Sequence, residues 1–284
     1  MNVKQALANG SQLLRDFKHE SAELDAELLL SHAVSKTREQ LYAHDEIPLT
    51  SGQRKSYRQL LERRASGEPV AYLLGTREFM DLGLEVNRHV LIPRPETETL
   101  VERVLAWIES APQKKPRVID VGTGSGAIAL ALAKHAKRAR IVAVDISRKA
   151  LDQASKNARA QRLNKRVMFK RSDLLSHVQG PFDCIVANLP YLTNEQLKTI
   201  PTDVKDFEPS YALAGGPDGL FWYEKLLPQA RIVLPKGGVI FLEIGPNLKM
   251  GIERLVKTIL PSSTVLRFHQ DLSGRIRIAE IQIA

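Results

Sequence analysis

Cysteine pairs and long hydrophobic runs, two features of secreted and membrane proteins, are missing from this sequence. Cys184 is the only cysteine, so no internal disulfide can form and a disulfide-stabilised secreted fold is excluded. No apolar run approaches the roughly 20 residues that cross a bilayer. The N-terminal segment MNVKQALANGSQLLRDFKHE also lacks the apolar core of a signal peptide. We therefore expect a cytoplasmic protein in which Cys184 is a buried strand residue.

Metal-binding patterns and a concentrated basic patch are missing as well. The seven histidines show no ligand spacing such as H-x-x-x-H, so we predict no metal site. Lys and Arg number 41 against 32 Asp and Glu, and the resulting net charge of +9 favours a polyanionic partner. The basic residues are spread along the chain, so charge alone does not establish nucleic-acid binding.

The patterns that are present divide the 284 residues into three regions. Residues 1–75 carry leucines at helical spacing, and Thr50 to Gln53 resembles a capping box, so a small helical bundle is predicted. Residues 76–95 predict a β-hairpin or extended linker. Residues 96–284 alternate helices and strands, which predicts an α/β fold with a parallel sheet covered on both faces and an antiparallel hairpin at one edge. The predicted strands are 117–122, 140–146, 167–173, 182–188, 239–244, 264–270 and 275–284.

A glycine-rich turn follows the first predicted strand, in the order Asp120-Val-Gly122-Thr123-Gly124-Ser125-Gly126. Such a turn lets a ligand approach the backbone closely, and ligands of doubly wound sheets bind beyond the carboxyl ends of the strands. Asp145 ends the second predicted strand, where a carboxylate can accept hydrogen bonds from ribose hydroxyls. Asp173 ends the third, where an adenine edge would lie.

Two cofactors compete for this turn. Gly122, Gly124 and Ala127 satisfy the dinucleotide pattern G-x-G-x-x-G/A, and Asp145 lies at a suitable distance. Asp120 favours S-adenosylmethionine over NAD, because a carboxylate suits its cationic groups and would repel a pyrophosphate. The alternative is that these glycines only pack the helix onto the sheet. The combination of three glycines with three acidic strand ends argues against this alternative.

The fourth predicted strand ends in Asn188-Leu189-Pro190-Tyr191. The Asn188 side-chain oxygen and the Leu189 carbonyl can each accept a hydrogen bond, and Pro190 restrains Leu189 to extended geometry. Two such acceptors match the two hydrogens of a planar –NH₂ group, as in a glutamine amide, adenine N6 or cytosine N4. They would orient the nitrogen toward a methyl donor and stabilise its developing charge, while the Tyr191 ring could stack on the planar group. An Asn-Pro turn that merely closes a strand is the alternative.

Beyond these motifs, nearly the whole chain resembles the release-factor glutamine N5-methyltransferases. The similar segments are RRASGEPVAYLLGTREF (63–79), LIPRPETE (91–98), DVGTGSGAIALALA (120–133), NLPY (188–191) and DVKDFEPSYAL (203–213). Two residues depart from the pattern. The family usually has Pro where Leu189 stands, and it often has an aromatic residue where Leu174 stands.

The resemblance implies a class I S-adenosylmethionine methyltransferase with a Rossmann-like sheet and an N-terminal helical bundle. Its substrate would be the glutamine amide in the Gly-Gly-Gln motif of peptide chain release factor 1 or 2. Residues 1–75 would dock that protein, 76–95 would link, and 96–284 would carry catalysis, in a monomer without a membrane or stable nucleic-acid partner. The implied catalytic residues are Asn188, Leu189, Pro190 and Tyr191. The implied cofactor contacts are Asp120, Gly122, Thr123, Gly124, Ser125, Gly126, Asp145, Asp173, Leu174 and Asn188.

Two other functions stay open at this point. An N6-adenine methyltransferase acting on RNA or DNA fits the positive charge, and ribosomal RNA adenine dimethylases also carry NLPY. Those RNA enzymes usually have their extra domain at the C-terminal side, whereas here it precedes the sheet. A non-catalytic helical adaptor is the third possibility, against which Asp120, Asp145 and Asn188 argue.

Overall fold

The computed structural model describes residues 1–283, and its chain forms two compact units. The first contains Met1–Thr76 together with Pro201–Phe207, and the second contains Arg77–Ile200 and the chain from Glu208 onward. The sequence did not suggest that a segment after residue 200 belongs with the N-terminal helices. Ala284, the last residue of the predicted strand 275–284, lies outside the described residues.

The seven strands of the large sheet follow in the predicted order, whereas the short helices Gln196–Thr199 and Thr202–Phe207 lie where no helix was predicted. The helices are α1 (Val3–Asp16), α2 (Ala22–Val34), α3 (Arg38–Ala43), α4 (Ser51–Ala65), α5 (Val70–Leu74), α6 (Glu96–Ser110), α7 (Ala127–His135), α8 (Arg148–Ala160), α9 (Gln196–Thr199), α10 (Thr202–Phe207), α11 (Phe221–Val233) and α12 (Lys249–Ile259). The strands are β1 (Thr76–Phe79), β2 (Leu82–Glu85), β3 (Arg117–Val121), β4 (Arg140–Asp145), β5 (Val167–Arg171), β6 (Cys184–Asn188), β7 (Val239–Glu243), β8 (Val265–Gln270) and β9 (Ile276–Gln282). No described helix has both the length and the apolar character to cross a membrane.

The first unit is a helical bundle held by an apolar core and one buried ion pair. Its fourth helix begins as predicted, since Thr50 Oγ1 accepts from Gln53 N at 3.2 Å and Gln53 Oε1 accepts from Thr50 N at 2.9 Å. Arg64 of α4 and Asp25 of α2 are both buried and pair at 2.7 Å. Removing one partner of such a pair would leave a buried charge uncompensated, so the pair fixes how these two helices pack.

The second unit is built on a seven-stranded sheet in the order β5-β4-β3-β6-β7-β9-β8. The first five strands in this order run parallel, and β9 pairs antiparallel with both β7 and β8. Alternate strand residues enter two separate cores, because successive side chains point to opposite faces. Ile185 and Ala187 face one core, whereas Cys184 and Val186 face the other. Helices therefore cover the sheet on both faces, and Cys184 is fully buried in its strand.

The strand order creates a crevice between β3 and β6. From β3 the chain winds outward through β4 to β5 and then returns to place β6 on the other side of β3. The connections leave the carboxyl ends of β3 and β6 in opposite directions at this switch point, and ligands of open α/β sheets bind there. Val121 at the end of β3 lies in register with Ala187 of β6, so the glycine-rich turn and Asn188 are brought side by side.

Candidate active site

A cavity opens where β3, β4, β5 and β6 end, and eight of the predicted site residues line it. They are Gly122, Gly124, Asp145, Asp173, Leu174, Asn188, Leu189 and Pro190. Five predicted residues lie nearby without lining the cavity, namely Asp120, Thr123, Ser125, Gly126 and Tyr191. The sheet thus brings together the ends of four strands, and the remaining residues occupy supporting positions.

The glycine-rich turn presents bare backbone to the cavity. Gly122 has a φ of +77°, and a Cβ placed there would lie 3.1 Å from Leu189 Cδ2. Gly124 has a φ of +57°, with no atom within 4 Å of the position where a Cβ would be. Glycine therefore serves two purposes here, a left-handed backbone at both positions and close contact between the two turns at Gly122.

Asp120 lies beneath the turn and not beside the cavity. One of its oxygens, Oδ2, accepts hydrogen bonds from Thr123 Oγ1 at 2.6 Å and from Ala129 N at 3.2 Å. The other, Oδ1, is buried without a hydrogen-bond partner among residues 1–283. Burial raises the pKa of this carboxyl group to about 7. From the sequence, this carboxylate is expected next to a cation, whereas its contacts stabilise the glycine-rich turn and the first turn of α7.

Asp145 is the acidic residue that reaches the cavity. Its Oδ2 accepts from Gly124 N at 2.9 Å and its Oδ1 accepts from Ser147 N at 2.8 Å. Burial raises the pKa of Asp145 despite these hydrogen bonds. Each carboxylate oxygen has a further lone pair, so the side chain can still accept hydrogen bonds from a ligand hydroxyl.

Ser125 and Gly126 are supporting parts of the turn. The carbonyl of Ser125 accepts from Asn157 Nδ2 at 2.9 Å, and the same Nδ2 donates to the carbonyl of Glu85 in the β1–β2 hairpin at 3.0 Å. A Cβ on Gly126 would lie 3.2 Å from Ala154 Cβ of α8. These contacts pack the turn against α8 and the hairpin, away from the cavity.

The Asn188 side chain has a defined orientation. Its Nδ2 donates to Thr97 Oγ1 at 3.1 Å, and Thr97 in turn donates to Glu243 Oε2 at 2.7 Å. Neither Asn188 Oδ1 nor the Leu189 carbonyl receives a hydrogen bond from the residues that the structure describes. Two acceptors are thus available at the cavity, next to the glycine-rich turn.

Backbone contacts clamp the segment that follows. Leu192 N donates to the Leu213 carbonyl at 3.0 Å, and Gly215 N donates to the Leu192 carbonyl at 2.8 Å. A Cβ on Gly215 would lie 2.6 Å from Tyr191 Cα. Tyr191 is half-buried behind the cavity, and burial raises its pKa to about 12. The ring does not line the cavity, so its predicted stacking role is not evident in this arrangement.

Thr97 and Glu243 are site residues that pattern reasoning did not identify. Thr97 lies in the first turn of α6, and Glu243 ends β7 next to Asn188 in the sheet register. Both are buried, and burial raises the pKa of Glu243 to about 7. A signal existed for Thr97, because it belongs to the segment LIPRPETE on which part of the resemblance rested.

The segments LIPRPETE (91–98) and EPSYAL (208–213) of the second unit meet in space. The buried carboxylate of Glu208 accepts from Ile92 N at 3.1 Å and pairs with the Arg94 guanidinium. Tyr211 donates its hydroxyl to the His89 carbonyl at 2.8 Å, and both residues line the cavity. Two stretches more than a hundred residues apart in sequence therefore form one wall of the site.

The residues present fit an adenosyl cofactor with a cationic methyl donor. Gly122 and Gly124 leave backbone uncovered for it, Asp145 can bind its ribose, and Asp173 and Leu174 lie at the adjacent strand end. Asn188 and Leu189, whose side-chain oxygen and backbone carbonyl accept no hydrogen bond from the described residues, line the same cavity. Fold and site together define an S-adenosylmethionine-dependent methyltransferase with a Rossmann-like sheet.

Relatives identify the family within this class. The chain is 42% identical over 260 residues to the release factor glutamine methyltransferase of Moorella thermoacetica, which covers 91% of both chains. It belongs to the release factor glutamine methyltransferase family. The enzyme of Rhodopirellula baltica is 39% identical over 270 residues, covering 93% of this chain and 90% of the relative.

Two family models match parts of this chain, and one solved structure shares its fold. Residues 5–75 match the PrmC N-terminal domain, and residues 97–203 match the methyltransferase small domain. The hMettl16 catalytic domain in complex with MAT2A 3'UTR hairpin 6 is 15% identical, with a TM-score of 0.58 over 79% of this chain and 81% of that chain. At that identity the likeness shows a shared fold only.

Proposed function

We propose that this chain transfers a methyl group from S-adenosylmethionine to the side-chain amide nitrogen of the glutamine in the Gly-Gly-Gln motif of class I peptide chain release factors. The observation that carries the proposal is the pair of unoccupied acceptors, Asn188 Oδ1 and the Leu189 carbonyl, next to the glycine-rich turn. Family membership supports the choice of a glutamine amide over the other planar –NH₂ groups that this pair could bind.

Asn188 and Leu189 would act on the substrate nitrogen. The two acceptors take its two hydrogens and hold the nitrogen in line for attack. They also stabilise the positive charge that develops on nitrogen as the new N–C bond forms. The cofactor supplies an electrophilic methyl group, whose bond to sulfur breaks in the same step. The methylated nitrogen then loses a proton to water, and no strongly basic side chain is needed.

The remaining residues would bind or support. Gly122, Gly124 and Asp145 line the cavity and would contact the cofactor directly, with Asp145 accepting from the ribose hydroxyls. Asp173 and Leu174 line the same cavity and would adjoin the adenine. The roles of the turn residues Asp120, Thr123, Ser125 and Gly126 are to hold that backbone in place, and Pro190 with Tyr191 fixes the course of the chain after Leu189.

We also assign substrate docking to the helical unit. A glutamine amide offers too little surface to be selected among all cellular glutamines, so specificity requires contacts elsewhere. In α4, the side chains of Arg54, Lys55 and Arg58 are exposed and supply a basic surface. Since class I release factors act in translation termination, the reaction would take place in the cytoplasm.

The docking assignment can be tested in the full chain. Reversal of all three α4 charges to Glu should raise the KM for release factor about tenfold while the cofactor affinity is unchanged. The matched control is the same charge reversal at the exposed residues Lys249, Arg254 and Lys257 of α12. Equal effects of the two triple variants would indicate general electrostatic attraction and remove the docking role.

The reaction itself is tested by labelled methyl transfer to purified release factor. The expected result is incorporation that disappears when the motif glutamine is replaced, and no incorporation into ribosomal RNA. Strong labelling of RNA with none of release factor would replace this proposal with a nucleic-acid adenine methyltransferase. Lack of any cofactor binding by calorimetry would point to a non-catalytic adaptor instead.

A further inference from the structure

Behind Asn188, two buried polar side chains from distant parts of the chain form a line of hydrogen bonds. Asn188 Nδ2 donates to Thr97 Oγ1 at 3.1 Å, and Thr97 Oγ1 donates to Glu243 Oε2 at 2.7 Å. Thr97 is 4% exposed and Glu243 is 3% exposed, and neither lines the cavity. Of these three residues, Asn188 alone lines the cavity, so it is the one that can contact a substrate there.

The direction of this line follows from the chemistry of its members. An ionised carboxylate can only accept hydrogen bonds, so the single hydroxyl hydrogen of Thr97 goes to Glu243. Toward Asn188 the Thr97 oxygen is then left as an acceptor, and the amide must offer it an N–H. The two ends of an asparagine amide have nearly the same shape, so without such a partner either end could face the cavity.

We propose that Glu243, acting through Thr97, sets the polarity of the substrate site by holding Asn188 with its oxygen toward the cavity, and thereby selects a glutamine amide over a glutamate carboxylate. Thr97 and Glu243 are positioning residues in this scheme, since both act through Asn188. The inference rests on the proposed function, because it concerns how that site distinguishes its substrate from an isosteric acid.

Glutamine and glutamate differ at one atom, and size cannot separate them. A site that shows two acceptors pairs with both hydrogens of an amide but leaves a carboxylate facing two oxygens. Sites built around specific hydrogen bonds discriminate strongly against an analogue that cannot make them, because buried polar groups are then left unpaired. If Asn188 turned over, its Nδ2 would instead donate to a carboxylate, and this discrimination would weaken.

The charge state of Glu243 bears on the same point. Burial raises its pKa to about 7, with Glu96 raising the value further and Arg277, Thr97 and Asn188 lowering it. Burial and, to a smaller extent, the charge of Glu243 raise the pKa values of Tyr191 and Tyr223, and the Tyr223 hydroxyl donates to the Glu243 backbone carbonyl at 2.7 Å. A protonated Glu243 is itself a donor and permits the line to reverse, so control of polarity is strongest above this pH.

The experiment compares Thr97→Val, which removes the hydroxyl at nearly constant volume, with Thr97→Ser, which keeps it. Two quantities are measured in the full chain. One is kcat for release factor, and the other is the ratio of dissociation constants for release factor carrying Glu or Gln in the motif, with S-adenosylhomocysteine bound. We expect Thr97→Val to lower both kcat and the ratio by about tenfold or more, and Thr97→Ser to keep both within about threefold.

Thr123→Val is the matched control, because it removes the other buried hydroxyl-to-carboxylate hydrogen bond, from Thr123 to Asp120. It should alter cofactor affinity and leave the Glu-to-Gln ratio at the wild-type value. Glu243→Gln is a second, isosteric variant that can donate or accept toward Thr97. Its ratio should fall between those of wild type and Thr97→Val, and should no longer change between pH 6 and pH 8.

Some outcomes would overturn the inference. A wild-type ratio and wild-type kcat in Thr97→Val, or a wild-type ratio with wild-type pH dependence in Glu243→Gln, would remove the positioning role. Both results presuppose a wild type that methylates release factor. A wild type that transfers no methyl group to release factor would overturn the proposed function and this inference together.

Discussion

Two turns form the site, and they are stabilised in different ways. The cofactor turn is the glycine-rich segment that follows β3 (120–126), and the substrate turn is the segment that ends β6 (188–191). The cofactor turn is stabilised locally, since Asp120 bonds to Thr123 and Ala129, three and nine residues away. The substrate turn is stabilised from a distance, since Asn188 depends on Thr97, 91 residues away, and through it on Glu243, which lies 146 residues from Thr97. Each turn is supported by a buried carboxylate that accepts a hydrogen bond from a threonine, Asp120 for the first turn and Glu243 for the second. The residues that stabilise the cofactor turn can therefore be recognised in a short stretch of sequence. Those that stabilise the substrate turn come together only in the folded sheet.

Replacement of Asn188, in the substrate turn, should cause the largest loss of turnover. Asn188→Ala removes an acceptor that faces the developing charge, so turnover should fall about a hundredfold or more, roughly 3 kcal/mol of activation free energy. Cofactor affinity should change far less. Steady-state kinetics with release factor and calorimetry with S-adenosylhomocysteine measure the two quantities. Full turnover in this variant would remove Asn188 from the reaction.

The two buried carboxyl groups should also make stability depend on pH. Burial raises the pKa of both Asp120 and Glu243 to about 7, so the folded state binds these protons more tightly than the unfolded state. The contribution of each group is full at low pH and is lost as the pH rises to about 7, from about 4 for Asp120 and from about 4.5 for Glu243, by up to roughly 4 and roughly 3 kcal/mol respectively. Denaturant unfolding across this range should show a smaller decline in Glu243→Gln and in Asp120→Asn. An unchanged decline in both variants would contradict the assignment.

Gly122 tests the contact between the two turns. Gly122→Ala places a side chain at φ +77°, 3.1 Å from Leu189 Cδ2, and should cost about 2 kcal/mol of stability together with cofactor affinity. Gly237 is the matched control, because its φ is +82° and a Cβ there would meet no atom within 4 Å. Gly237→Ala should cost only the backbone strain, about 1 kcal/mol, as measured by urea unfolding. Equal costs would show that the contact with Leu189 is unimportant.

Asp145 tests the cofactor turn alone. Asp145→Ala should weaken cofactor binding about tenfold and leave kcat at saturating cofactor nearly unchanged, because a ribose contact is made equally in ground and transition states. Calorimetry and kinetics separate the two effects. Asp152→Ala, at an exposed acid of the neighbouring helix, has the same charge change and should bind the cofactor normally. A normal affinity in Asp145→Ala would exclude this residue from the site.

Leu189 should give the smallest effect. Leu189→Pro keeps both the backbone carbonyl and the extended geometry, so methylation of release factor should change by less than about threefold. The same assay with adenine-containing RNA checks whether leucine widens the site. RNA methylation by wild type that proline abolishes would contradict our interpretation of the substrate turn.

Much of the fold could be predicted from the sequence, because apolar runs and helical spacing mark the strands and helices directly. The Rossmann-like sheet with an N-terminal helical region is confirmed, as is the antiparallel hairpin at its edge. The buried pair of Asp25 and Arg64 could not be predicted in this way, since a charged residue in a helix normally indicates a solvent-exposed face.

The candidate site was predictable to a different degree in its two halves. Gly122, Gly124 and Asp145 follow from a local motif and the ends of strands, and all three line the cavity. The position of Asp120 was anticipated wrongly, because a sequence motif does not show whether a side chain points up to the ligand or down into the fold. Thr97 and Glu243 were missed because their pairing exists only after α6 and β7 have packed together.

The assignment of Pro201–Phe207 to the first unit has a consequence for biosynthesis. The chain leaves the helical bundle at residue 76, completes more than half of the catalytic sheet, and only then returns to supply the last helix of the bundle. During synthesis on the ribosome, over a hundred further residues must therefore be added after the N-terminal helices before Pro201–Phe207 completes their unit. The two units are interleaved along the chain, so neither corresponds to a single continuous stretch that could be exchanged between proteins by one recombination event.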